Sequence, residues 1–136
     1  MSFIGKSVLR KEGFGKVTGR ARYIDDLHFP DMIHGTTVRS TVPRGRIKRI
    51  HFEGDLNWNE FTIVTAKDIS GKNAVALILY DQPYLAEEMI NHPEEAVVLI
   101  AHPDKNLLEK ARKNIRIEVE PLISVFSIDD SLSKKE

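Results

Sequence analysis

The stretch from Ala96 to Glu120 constrains the fold more than any other part of the chain. Residues 96–101 (Ala-Val-Val-Leu-Ile-Ala) are apolar without interruption. So short an apolar run calls for burial on both faces, as in a central strand. Pro103 and Asp104 then suit a helix start. Leu107, Leu108, Ala111 and Ile115 recur on one helical face, with Lys105, Glu109, Lys110, Arg112 and Lys113 on the other. Burying the larger aliphatics of that face contributes roughly 5–9 kcal/mol before conformational entropy is subtracted. Residues 115–120 (Ile-Arg-Ile-Glu-Val-Glu) alternate strictly, which reads as a half-buried strand closed by Pro121. The strand–helix–strand order predicts a crossover unit on one sheet, right-handed if its strands are parallel.

Upstream, the signals are mostly β. Met32–Ser40 follows the Pro30–Asp31 turn and reads as a strand. Ile47–Glu53 reads as a second, joined to the first through a short loop containing Pro43. Phe61–Thr65 is a third, after a loop that holds Trp58. Asp68–Gly71 reads as a turn or one helical turn, and the apolar run Ala74–Tyr80 as another buried strand. Ile128–Leu132 suits a short helix. The fold class is α/β (α+β): a small mixed sheet of about five or six strands with one main helix. The expected organisation is an extended arm over residues 1–20, a domain over 21–130 and a polar tail over 131–136.

Composition narrows the function classes. The 20 Lys+Arg balance the 20 Asp+Glu, which argues against a whole-protein nucleic-acid binder. With no cysteine, the chain cannot carry a disulfide, an iron–sulfur cluster, a thiolate zinc site or a cysteine nucleophile. The longest apolar run, residues 74–80, is far shorter than the roughly 20 residues a membrane helix needs. No apolar stretch of signal-peptide length opens the sequence. A cytoplasmic protein is the expectation.

Candidate chemistry is thin. Gly13-Phe14-Gly15-Lys16-Val17-Thr18-Gly19 places its third glycine one residue late for a dinucleotide loop, and no strand precedes it. Asp25, Asp26, His28, Asp31 and His34 lie close together but lack the spacing of a metal site; a polar turn with Asp side chains on backbone amides is the simpler reading. Glu87-Glu88 and Glu94-Glu95 flank Asn91-His92-Pro93 and read as a solvated loop. Arg39, Arg44, Arg46, Lys48 and Arg49 form a basic stretch, with no acid between Met32 and Phe52. Read as a hairpin, it is either solvated and paired within the chain or a contact for an anion or a partner, with Arg39, Arg44 and Arg46 the candidates. No catalytic constellation emerges, and no metal site.

Residues 16–27 (Lys-Val-Thr-Gly-Arg-Ala-Arg-Tyr-Ile-Asp-Asp-Leu), then Met32, Gly35 and Val38-Arg39-Ser40, resemble the opening of the molybdopterin-binding subunit of the xanthine dehydrogenase/aldehyde oxidase family. Arg46-Ile47, residues 61–69, Gly71-Lys72-Asn73, residues 81–86, the 96–101 run, the helix and residues 117–122 continue the resemblance in order. It covers nearly the whole chain and points to the N-terminal α/β hammerhead domain. Two departures stand out. Thr41-Val42-Pro43 follows Val-Arg-Ser where the family often has His-Ala-His, and Asn91-His92-Pro93 replaces a more usual Gly-Glu/Gln-Pro.

The resemblance implies a domain of a molybdenum hydroxylase, as a fragment or a split subunit. The pterin-binding segments and the glutamate base of the family lie downstream of this domain, so no catalytic or cofactor-binding residue carries over. The implied cofactor, molybdenum–molybdopterin, belongs to the parent enzyme. The implied partners are the molybdenum-cofactor domain or subunit, with iron–sulfur and flavin subunits in the assembled enzyme. The implied role is scaffolding and docking. In xanthine oxidase-like relatives the segment after the Gly-x-Asn turn contributes apolar residues to the substrate funnel; Ile78 and Leu79 stand nearest those positions. Ordinary buried strand residues are the simpler reading of both. The alternative function is a stand-alone binding module that uses the basic hairpin on an anionic partner.

Overall fold

The computed structural model describes residues 4–76 and 78–134. They form α1 (Gly13–Val17), β1 (His34–Arg39), β2 (Gly45–Phe52), β3 (Thr62–Val64), β4 (Met89–Ile90), β5 (Ala96–His102), α2 (Lys105–Lys113), β6 (Ile115–Pro121) and α3 (Ile128–Lys134). The chain divides into two compact units, Met1–Met32 and Ile33–Glu136. The second holds two antiparallel three-stranded sheets, in the orders β1-β5-β3 and β4-β2-β6. Six strands and one main helix agree with the fold class read from the sequence.

β5 is the central strand that its apolar run predicts. It pairs with β1 from His34↔His102 to Arg39↔Ala96 and with β3 from Thr62↔Ala101 to Val64↔Leu99. Val97, Val98 and Ile100 are fully buried and share one core with Val38, Phe61, Ala86, Ile115 and the helical Leu108 and Ala111. α2 starts where the sequence places it. The Asp104 carboxylate accepts from the Asn106 amide at 2.7 Å and the Leu107 amide at 3.1 Å, satisfying two of the helix's free donors.

The crossover unit is not formed. β5 already has a neighbour on each edge, and β6 pairs with β2 in the other sheet. The alternation in β6 explains this choice. Its outward residues Arg116 and Glu120 pair with Glu53 and Lys48, and Glu118 stands opposite Arg49 in register. Cross-strand charge pairs of that kind favour one register over others. Lys48 is the extra residue of a bulge between Ile47↔Val119 and Arg49↔Glu118.

The hairpin expected of β1 and β2 is also absent, since the two strands lie in different sheets. A knot of hydrogen bonds at Ser40, 1% exposed, diverts the chain. Its amide donates to Glu95 O at 2.8 Å, its carbonyl accepts from the Glu94 amide at 3.2 Å, and its hydroxyl donates to Val42 O at 2.7 Å. Pro43 follows, with no N–H to offer a strand partner. Aromatic contacts then tie the two sheets together: Phe52 meets Trp58 edge-on at 5.2 Å, Trp58 meets Phe61 at 5.5 Å, and Phe61 meets His102 at 4.7 Å.

Ala74–Tyr80 is not a buried strand. Leu77 lies outside the described residues, and around it only the Val75↔Gln82 bridge is strand-like. Asn73 explains the excursion. Its Oδ1 accepts from the amides of Tyr84 (3.1 Å) and Leu85 (3.2 Å), and its Nδ2 donates to Leu85 O at 2.7 Å. The side chain thus closes the base of a loop whose ends are held together.

The two ends of the chain also differ from expectation. Residues 1–20 are not wholly extended: α1 is a short helix whose carbonyl at Phe14 accepts from both the amide (3.1 Å) and hydroxyl (2.7 Å) of Thr18. Gly19, at φ +68°, takes the left-handed conformation that ends it. At the other end the short helix expected over Ile128–Leu132 forms as α3, which runs on to Lys134 into the expected tail; its Asp130 amide donates to the Ser127 hydroxyl at 3.0 Å. The remaining terminal residues of the expected arm and tail, 1–3 and 135–136, lie outside the described residues.

Two substitutions test this packing. A Cβ at Gly45 would collide with the Val119 side chain and stand 2.7 Å from Glu120 O, where β2 meets both β4 and β6. Gly45→Ala is expected to cost about 1–3 kcal/mol in denaturant unfolding. Leu108→Ala, at a side chain 2% exposed, should cost about 2–5 kcal/mol in the same measurement.

Candidate functional site

The basic stretch is largely answered within the chain. Arg39 Nη1 donates to Glu94 O at 2.8 Å and Arg44 Nη1 to Ile123 O at 3.2 Å. Lys48 Nζ lies 2.5 Å from Glu120 Oε2, and Arg46 stands opposite Glu120 in register. Arg49 pairs in register with Glu118, which also accepts from His51 Nε2 at 2.7 Å. The five cations of the stretch therefore do not form one unanswered patch. Cross-strand partners and backbone carbonyls engage them at separate places.

Ile78 and Leu79 are 90% and 66% exposed. The reading that made them ordinary buried strand residues does not hold. They stand on the loop closed by Asn73, beside a shallow cavity of about 300 Å³ lined with Val75, Asp81 and Gln82. Lys72 Nζ lies 3.7 Å from the Tyr80 ring centre, a cation–π contact at the same loop.

Sequence reasoning missed an open apolar groove of about 450 Å³ on the β1-β5-β3 sheet. Leu99 stands at its centre, between Thr37 of β1 and Val64 of β3, its partners in register. Ile69, Tyr84, Leu85 and Ala96 complete the lining, and Arg39 is the one charged side chain on its wall. A signal was present in the sequence: a run apolar on both faces needs two covers. Among the described residues of the unit Ile33–Glu136, the core with α2 supplies one of them.

The acidic and histidine candidates do not converge. Asp26 accepts from the Tyr23 amide at 2.9 Å and closes a 3-10 turn at Ile24–Asp26, the local role expected of a polar turn. Glu95, 4% exposed, accepts from the Asn91 amide at 2.5 Å and fixes the loop before β5. Among the described residues no group of three or more His, Cys, Asp or Glu side chains could hold a metal ion. The one buried side-chain polar atom without a partner there is Trp58 Nε1, a lone donor inside the aromatic contacts.

Residues 18–122 match the family described as "Aldehyde oxidase and xanthine dehydrogenase, a/b hammerhead domain". The chain belongs to that family. Among curated relatives, a probable xanthine dehydrogenase subunit of Bacillus subtilis (strain 168) is 32% identical over 93% of the chain and 17% of its own length. The nicotinate dehydrogenase large molybdopterin subunit of Eubacterium barkeri is 28% identical over 96% of the chain and 31% of its own length. Among solved structures, quinoline 2-oxidoreductase from Pseudomonas putida 86 superposes with a TM-score of 0.78 at 27% identity, over 94% of this chain and 17% of that one. A Cu,Mo-CO dehydrogenase superposes with a TM-score of 0.80 at 24% identity, over 93% of this chain and 16% of that one, and shows the fold. The hammerhead chain thus spans between a sixth and a third of the length of these relatives.

Relatives named for a molybdopterin subunit raise the question of whether this hammerhead domain holds the cofactor. The described residues offer no set of groups suited to that task. A lone indole N–H among aromatic rings is neither a metal donor set nor a polar cradle for a pterin, and no reaction step at molybdenum is assigned to this chain's residues.

The charge ladder between β2 and β6 makes a pH prediction. The hydrogen bond from His51 holds the Glu118 carboxyl below its ordinary value, with Arg116 and Arg49 assisting. A carboxylate whose value is lower in the folded state contributes stability that is complete above the ordinary glutamate range. That contribution is lost as pH falls through the depressed value. Glu118→Gln should lower the melting temperature slightly at pH 7, and the gap to the parent should close on acidification. A gap constant into strong acid would show that this carboxylate is not what the ladder depends on.

Proposed function

We propose that this chain is a scaffolding and docking domain of a molybdenum hydroxylase, without catalysis of its own. It seats against the molybdenum-cofactor domain or subunit of an enzyme that also includes iron–sulfur and flavin subunits and works in the cytoplasm. Among the described residues, no helix is long and apolar enough to cross a membrane. The observation that carries the reading is the hammerhead match over residues 18–122 in a chain spanning only 17% of its Bacillus subtilis relative. The remaining length of such relatives is where the molybdopterin would be bound. Once bound there, that cofactor supplies the oxidation–reduction chemistry. This chain's residues hold the docked surfaces in place and exclude water from them.

Within the same reading, the loop bearing Ile78 and Leu79 lines the substrate entrance. Its support is the exposure of both side chains on a loop clasped at its base. Apolar side chains held out to solvent are stabilised when another surface or an apolar substrate covers them. The two charged arginines of the β2 side, Arg44 and Arg46, have less to offer a separate partner, because chain carbonyls and Glu120 already engage that side.

Reconstitution tests the proposal. The chain alone should show no hydroxylation of aldehydes or N-heterocycles, whereas the assembled enzyme should need it for full activity. Hydroxylation by the isolated chain would overturn the scaffold reading. In the assembled enzyme, Ile78→Ala and Leu79→Ala should raise KM for an apolar substrate several-fold with a smaller effect on kcat. Unchanged KM in both variants would remove the loop from the entrance.

A further inference from the structure

β5 is apolar on both faces, yet its environment is one-sided. Val98 and Ile100 share the core with Leu108 and Ala111 of α2, whereas Leu99 is 38% exposed at the centre of the groove. Antiparallel sheets commonly leave one face to water, but that face is then polar. Here Leu99, Val64, Ile69, Leu85 and Tyr84 occupy it. Two other outer surfaces of this unit, the β2–β6 face and the outer side of α2, are charged by comparison. The β2–β6 face carries Lys48–Glu120, His51–Glu118 and Arg116–Glu53 pairs, and α2 turns Lys105, Lys110 and Arg112 outward.

We infer that the outer face of the β1-β5-β3 sheet is the surface on which the remainder of the molybdenum-hydroxylase large chain seats, with Leu99 at its centre and Tyr84 and Arg39 at its rim. This rests on the function proposed above and names the place of contact. Two observations select the occupant. About five-sixths of the Bacillus subtilis relative lies beyond the part this chain covers, so a large covering body exists in such proteins. The groove also carries one cation and no acid. A two-fold contact between copies would set this face against itself, with no acid lining either side to answer Arg39. A different surface, with an apolar ridge and a carboxylate, fits better. The Glu94 carbonyl takes one guanidinium donor of Arg39 and leaves others for that carboxylate.

Tyr84 joins this surface to the entrance loop. Its amide donates to Asn73 Oδ1, within the clasp that closes the loop, while its side chain lines the groove. A body seated on Leu99 therefore reaches the base of the loop carrying Ile78 and Leu79.

Site-specific photocross-linking in the producing cells tests the inference. A photoreactive phenylalanine derivative is placed singly at Leu99, Tyr84, Glu109 or Arg112, and the linked peptides are mapped by mass spectrometry. The first two positions lie in the groove and the last two on the outer side of α2. The expected result is linkage from Leu99 and Tyr84 to a segment of molybdenum-cofactor-binding sequence, on this polypeptide's continuation or a separate one, and none from α2. Linkage to such a segment from α2 alone would overturn the assigned face and leave the proposed function standing. Groove positions that link only to a second copy would overturn the occupant. Linkage only to proteins without molybdenum-cofactor sequence would overturn the inference and the function together. No linkage from either groove position would overturn the assigned face.

Discussion

The pairing of β5 on both of its edges is the constraint from which the rest of this fold follows. Once β1 and β3 flank it, β6 cannot join as its neighbour and must find another partner. β2 is that partner because charges on it and just beyond it answer those of β6. Two small sheets result where the segment order alone suggests one. Each would be marginal by itself, since three short strands bury little apolar surface. The contacts from Phe52 through Trp58 and Phe61 to His102 join them, and α2 closes one side of the shared core.

What the sequence reveals here divides along a physical line. The elements governed by local periodicity are legible. The 96–101 run, the amphipathic helix capped by Asp104 and the alternation after Ile115 all occur within a residue or two of their expected places. Sheet membership is not legible, because it depends on which edges remain free and on pairings between distant residues such as His51 and Glu118. The apolar segment around Ile78 misleads for a different reason. Its composition demands a cover, and that demand says nothing about whether the cover lies in the same chain. Asn73 carries the correcting signal, since a half-buried amide satisfied at three points ties residues 84 and 85 back to its own position. No periodicity argument detects such a clasp.

The same distinction applies to candidate chemistry. Charge runs and carboxylate pairs attract notice in one dimension, and in three they become ladder pairs, turn closures and caps. Asp26 closes a turn, Asp104 caps α2 and Glu95 fixes the loop that leads into β5. The surface proposed for docking is built instead mainly from apolar side chains, Leu99 and Val64 among them, with Tyr84 beside them. A hammerhead domain in this family is accordingly read by what its surfaces leave uncovered rather than by reactive groups.

The size of that uncovered surface bears on how such a domain is held. Stable association of two free proteins usually buries about 1,200–2,000 Å² in total, whereas contacts between domains of one chain hold with as little as about 600 Å². The difference arises because a covalent tether supplies the local concentration that free partners lack. A single groove centred on Leu99 suits the tethered case. A chain that docks without a tether needs more, and the loop with Ile78 and Leu79 extends the apolar surface through their shared base at Tyr84. Groove and loop engaged together would also fix the loop's position relative to the sheet, which contact at either one alone would leave free. Under the proposed function, that coupling would give the domain a direct route to influence the shape of a substrate entrance without contributing a single reacting atom.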